Sequence, residues 1–129
     1  MEFTALVILA SLVQYFLFAF SVAAIREKTG IEPPEVHGDE QLVRAIAAHR
    51  NTGEFIPIFI GLIAICAYYL NDIFAAGVGV FWLVTRQVYR HGYMKDVKSR
   101  IPGFLMGDVV LAVLLLGRLW GLVNNMIEA

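Results

Sequence analysis

Four stretches of the chain are dominated by apolar residues, with polar stretches between them. Phe3 to Ile25 carries no charge, and Gln14 is its only strongly polar member. As a helix this run would be about 35 Å long, enough to cross a hydrocarbon core of about 30 Å. No basic segment precedes it and it exceeds the apolar stretch of a signal peptide, so it reads as a span. Arg26 to Glu40, with Pro33-Pro34 and Gly38, reads as a loop. Phe55 to Leu70 and Ile73 to Thr85 follow, separated only by Asn71-Asp72, which predicts a tight helical hairpin. Each run alone is short for a span, but helical spacing continues from both into polar residues. Asp39 is placed to cap the start of the second helix, and the third is expected to run past Tyr93. The last run, Ile101 to Val123, is interrupted by Asp108 and Arg118. The pattern predicts helices near residues 3–27, 40–70, 73–95 and 101–124. Continuous runs, rather than alternating segments of about ten residues, exclude a β-barrel. The expected fold is all-α, an integral membrane four-helix bundle, with residues 1–129 forming one four-span domain.

Composition agrees. Of the 129 residues 59 % are hydrophobic and 16 % charged, and the mean hydropathy is +0.70. Soluble domains hold roughly 45–50 % and about 25 %. A soluble fold of this size could not hide so much apolar matter, and a disordered chain would lack it. A net charge of −1 gives no sign of nucleic-acid binding. The single cysteine excludes an internal disulfide framework and a Cys-based zinc site. The three histidines lack metal-ligand spacing, so no metal site is expected. His37 and His91 read as surface residues and Cys66 as packing. Every Lys and Arg except Arg118 falls in the first loop, the third connection or the helical extensions beside them. The positive-inside rule makes that side cytoplasmic and turns both termini outward.

The polar helix ends hold the candidate chemistry. Arg44, Asn51 and Glu54 are seven and three residues apart and share one face of the second helix. A carboxylate at Glu54, beside an apolar run, should meet a cation or accept hydrogen bonds. The plainer alternative is an ion pair that pins the helix to a neighbour. On the third helix Arg86, Tyr89 and Tyr93 step by three and four along one stripe, and Arg100 lies seven residues further on. Interfacial anchoring explains Lys95 and Lys98 well, but a stripe of two arginines and two tyrosines less well. The two extensions form a cup of arginines, phenols, an amide and a carboxylate. That set suits a small anion bearing carboxylates and an amine. Glycines at 77, 79, 103, 107, 117 and 121 mark places where helices could approach closely.

These residues resemble the membrane-associated proteins in eicosanoid and glutathione metabolism, the MAPEG family. The resemblance covers nearly the whole chain and rests on two motifs, His49-x-Asn51-x-x-Glu54-x-x-Pro57 and Arg86-x-x-Tyr89-x-x-x-Tyr93 followed by Arg100. It implies a homotrimer in the bilayer that binds glutathione as co-substrate between subunits near the cytosolic face. Arg26, Asn51, Glu54, Arg86, Tyr89 and Tyr93 match glutathione-holding positions, and Arg100 matches the residue that stabilises the thiolate. His49 is similar to the microsomal glutathione transferase branch. The chain departs from the eicosanoid enzymes at Ala47, where they carry Arg, and at Phe55, where they carry Tyr.

The implied activity is transfer of glutathione sulfur to a lipophilic electrophile, with peroxidase action on lipid hydroperoxides as a further possibility, in a bacterial inner membrane. A non-catalytic lipid- or glutathione-binding scaffold of the same family is the alternative, against which the presence of Arg100 argues. A small multidrug transporter would need a membrane-embedded acid, typically in the first helix, which has none.

Overall fold

A computed structural model describes residues Met1 to Ala129. Four long helices follow one another: α1 Glu2–Thr29, α2 Glu40–Tyr69, α3 Asp72–Lys95 and α4 Ile101–Glu128, with a short 3-10 turn, Val97–Arg100, before α4. The predicted elements are all present. Their ends have local causes. Gly30 closes α1 in the left-handed conformation, φ 74°, and its N–H reaches Arg26 O at 2.8 Å. Asp39 caps α2 as expected, accepting from the Leu42 amide at 3.0 Å. Asn71 caps α3, accepting from Ile73 N and Phe74 N at 2.8 and 3.1 Å. Pro57 sits inside α2, which continues through it.

The start of α1 has no capping side chain of its own. Asp72, at the start of α3, takes that role: its carboxylate accepts from Phe3 N, Thr4 N and Thr4 Oγ1 at 3.1, 2.9 and 2.6 Å. The first residue of α3 thus holds the N-terminus of α1, where the helix dipole favours a negative charge.

Helix α3 packs against all three others, and α1 and α4 flank the α2–α3 hairpin. At the centre the rings of Phe59 and Trp82 stack at 4.1 Å, both buried. Gly103 brings α4 onto α3: a Cβ there would stand 2.5 Å from the Tyr89 backbone nitrogen. Gly103, Gly107 and Gly79 are therefore spent on contacts within the chain, whereas Gly77 and Gly117 meet nothing.

Three segments, Glu2–Thr29, Glu40–Tyr69 and Val97–Glu128, are long and apolar enough to cross a membrane unaided. The remaining helix, α3, is long enough at about 36 Å and is the more polar one, with Arg86, Gln87, Arg90 and His91 in its second half. Its position explains how it is accommodated. Arg86 turns into the bundle, Arg90 donates to Ser21 Oγ on α1, and Gln14 of α1 reaches the Leu83 carbonyl at 3.0 Å. Only 23 of the 129 residues are buried, so most of the apolar surface is left for lipid or for neighbouring chains.

Candidate functional site

Arg86 anchors the polar end of the bundle. It is 1 % exposed. Its Nη2 donates to Asn51 Oδ1 at 2.7 Å and to Thr52 Oγ1 at 2.8 Å, tying α3 to α2. The guanidinium carbon lies 4.3 Å from the Tyr89 ring centroid, with Phe55 and Trp82 at 5.5 and 5.7 Å. Burying a charge requires such compensation, here supplied by hydrogen bonds and aromatic faces. Its Nε has no partner.

Above Arg86, Ala47, Asn51, Tyr89, Tyr93, Arg100, Ile101 and Phe104 enclose a cavity of about 320 Å³. Tyr89 and Tyr93 meet edge to face at 5.7 Å, and Phe104 of α4 lies 5.9 Å from Tyr89. Arg100 does not extend the stripe by continuing α3, because the helix stops. Asp96 is extended, φ −162° and ψ 144°, and its amide caps back to Gly92 O at 3.0 Å. The 3-10 turn then returns the chain so that the Arg100 guanidinium stands 5.5 Å from the Tyr93 ring. One Arg100 nitrogen is held by the Val97 carbonyl at 2.8 Å. Four residues of the sequence motifs, Asn51, Tyr89, Tyr93 and Arg100, thus share one cavity, with Arg86 beneath it.

His49 and Glu54 lie elsewhere. With Tyr15, Ile46, Arg50 and Gly53 they line a second cavity of about 400 Å³ between α1 and α2. His49 stacks on Tyr15, ring centroids 4.5 Å apart and 13° from parallel. Glu54 is exposed and pairs with no cation in the chain, whose ion pairs are Met1–Asp72 and Arg44–Glu40. Arg26 is placed with neither cavity; it donates to the loop carbonyls of Glu35 and Ile31 at 2.7 and 3.3 Å. Arg44 does not reach Asn51 or Glu54. It donates to Met94 O and Lys95 O at 3.2 and 3.1 Å, capping the end of α3, and pairs with Glu40.

Three contributors were not singled out from the sequence. Thr52 follows Asn51 and carries no motif, yet it shares Arg86. Phe104 comes from α4 and looks like lipid-facing apolar sequence. Tyr15 is one aromatic among several in α1; the sign of its place is Gly53, where a Cβ would meet its ring.

The sequence is similar to those of known proteins. The MAPEG family model matches residues 4–120. Microsomal glutathione S-transferase 2 of Homo sapiens is 34 % identical over 124 residues, covering 96 % of this chain and 84 % of that protein. An uncharacterized protein of Synechocystis sp. is 30 % identical over 115 residues, covering 89 % of this chain and 84 % of its own. Leukotriene C4 synthase of Rattus norvegicus is 27 % identical over 103 residues, covering 78 % of this chain and 69 % of that enzyme.

Proposed function

The chain belongs to the MAPEG family, and from that premise we propose that it is a glutathione transferase acting on lipophilic electrophiles at the membrane. The observation that carries the reading is the cavity in which Arg100 and Tyr93 stand beside Asn51 and Tyr89. Glutathione offers two carboxylates, an ammonium and a thiol. Arg100 is the catalytic residue. A free thiol has a pKa near 8.5, so about 3 % is thiolate at pH 7. A guanidinium stays charged and cannot accept the proton, so Arg100 acts by favouring S⁻ where water is scarce. The proton leaves to solvent. The sulfur lone pair forms the C–S bond, and the bonding pair of the electrophile moves to its leaving group or acceptor atom. On a lipid hydroperoxide the same thiolate attacks oxygen, and a second glutathione completes reduction to alcohol, water and glutathione disulfide.

Arg86 is a positioning residue in this reading. Its hydrogen bond fixes the Asn51 amide, and its guanidinium supports Tyr89 from below. Glu54 takes the glutathione ammonium, and His49 and Arg26 bind the peptide from the other side. One protomer keeps these groups apart, which supports a homotrimer whose sites lie between neighbours, each combining the α2–α3–α4 cavity of one chain with the α1–α2 face of the next. The basic-residue asymmetry supports a cytoplasmic site in an inner membrane.

The deciding experiment is titration of the purified protein with glutathione at pH 7, read by thiolate absorbance in the ultraviolet. A saturable thiolate signal, with one glutathione per site, is expected. Binding without thiolate would leave a glutathione-binding scaffold, and no binding would remove the reading altogether.

A further inference from the structure

At the opposite end of the bundle a second arginine stands alone. Arg118 of α4 makes no ion pair, its Nε is buried without a partner, and its guanidinium lies 5.8 Å from the Tyr69 ring. One turn further along α4, Gly121 leaves room for it: a Cβ there would be 3.2 Å from Arg118 Nη1. Arg118 lies 18 residues beyond Arg100 on α4, about 27 Å along the axis, close to the full depth of a hydrocarbon core. Tyr68, Tyr69 and Trp120 are exposed at the same level, as aromatic side chains are at a headgroup boundary.

Arg118 also heads a groove. With Leu70, Phe74, Val113, Leu114 and Gly117 it lines a recess of about 260 Å³. Phe74, Val113 and Leu114 continue into an apolar groove of about 550 Å³ between α3 and α4, reaching Phe81 and Val109. From Arg118 to Val109 is nine residues, about 13 Å along α4, close to the roughly 15 Å depth of one leaflet. Gly77 and Gly117 line this path and nothing fills the space beside them. An unpaired guanidinium at headgroup depth, opening onto an apolar channel one leaflet deep, is complementary to an anionic amphiphile. Anchoring to bulk headgroups would need the arginine but not the channel.

We infer that the α3–α4 groove binds one anionic phospholipid of the leaflet opposite the glutathione site, its phosphate on Arg118 and one acyl chain along Phe74, Gly77, Phe81 and Val113. An arginine presents two parallel donors to a phosphate. A net-anionic lipid neutralises the charge, whereas the phosphate of a zwitterionic lipid already faces its own ammonium.

The test is native mass spectrometry of delipidated protein in mild detergent, titrated separately with phosphatidylglycerol, phosphatidylcholine and oleate. One phosphatidylglycerol per chain should bind in preference to the other two. Arg118→Gln should weaken it by roughly ten-fold or more, the loss of a charge-assisted contact, and Arg118→Lys should recover part of it. Gly77→Leu, placed where space is open, should weaken all three ligands by filling the channel. Glutathione binding at the other end should be unchanged in each variant, which shows that the fold is intact. Phosphatidylglycerol binding that survives both Arg118→Gln and Gly77→Leu overturns the inference. So does oleate bound as tightly as phosphatidylglycerol. Cross-linking between chains through a cysteine at Val113 would give the groove to a second copy and also overturn it.

Discussion

The two cavities beside α2 are built in different ways. In the one toward α3 and α4 the functional side chains contact one another inside the chain: Arg86 donates to Asn51 and Thr52, the Tyr89 and Tyr93 rings meet edge to face, and Arg100 lies over the Tyr93 ring. In the one toward α1, Glu54 is exposed and unpaired, and the chief internal contact is the stack of Tyr15 on His49. The first is held together by contacts of the chain itself; the second is left largely open. A preorganised cavity is where chemistry is best placed, because dipoles already fixed need not reorganise as charge develops. An unfinished face is suited to closing over a ligand held by a neighbouring chain.

The largest expected effect tests the preorganised side. Arg100→Ala should still bind glutathione but lose the thiolate signal at pH 7. If Arg100 lowers the thiol pKa by about two units, worth about 2.7 kcal/mol, the thiolate fraction at pH 7 drops from about 76 % to about 3 % without it, and conjugation at pH 7 should fall roughly 25-fold. The loss should shrink as pH approaches about 9, where free thiol ionises unaided. A variant with parental thiolate absorbance and an unchanged pH–rate profile would make Arg100 an anchor to lipid phosphate.

The contrast between the cavities also marks what sequence could show. Helix positions were legible because apolar runs, Asp39 and Asn71 are local signals that act locally. The Arg86, Tyr89 and Tyr93 stripe was legible for the same reason, since helical spacing fixes a shared face. The approach of Arg100 was legible only in outcome. Extrapolating the helix would place it on the stripe, but a break at Asp96 and a 3-10 turn bring it there instead. Partners from another helix were not legible. Nothing local announces that Arg86 would be buried on Thr52, that Arg44 would cap α3, or that Asp72 would cap α1. Nor did the sequence say how the polar residues of α3 would be accommodated: α3 packs against all three other helices.

The second prediction probes the unfinished side. A methyl at Gly53 would overlap the Tyr15 ring, whose Cζ stands 2.8 Å from that position. Gly53→Ala should therefore displace Tyr15, undo its stack on His49 and cost roughly 1–3 kcal/mol of stability, as overpacking does. Tyr15→Ala should relieve much of that cost in the double variant, a coupling readable in a double-mutant cycle. Glutathione affinity should fall while the thiol pKa of whatever still binds stays at the parental value, because Arg100 lies in the other cavity. A shifted thiol pKa would mean that the two cavities act as one unit within a single chain.

The smallest effect lies outside both cavities, in the loop that holds Arg26. Glu35 folds this loop on itself: its carboxylate accepts from Val36 N and His37 N, both at 2.9 Å, while its backbone carbonyl takes Arg26 Nη1 at 2.7 Å. The two amides, that of His37 first, hold the carboxyl below its ordinary value of 4.5. A group with a depressed folded pKa adds stability that is present above its unfolded pKa and lost as pH falls through the folded one. Glu35 is fully exposed, so only local order is at stake. Glu35→Gln removes the charge at every pH and should speed amide exchange at Val36 and His37 relative to the parent at pH 7. As pH falls through the Glu35 pKa the parent loses the same interaction, and the ratio of the two exchange rates should approach one. Arg26, released from the Glu35 carbonyl when the loop loosens, then becomes free to turn toward a neighbouring chain. If glutathione affinity rises in Glu35→Gln, the loop restrains Arg26. If affinity falls, the loop is what presents Arg26 to the ligand. A ratio that stays constant across the acid range would show that the carboxylate does not order this segment.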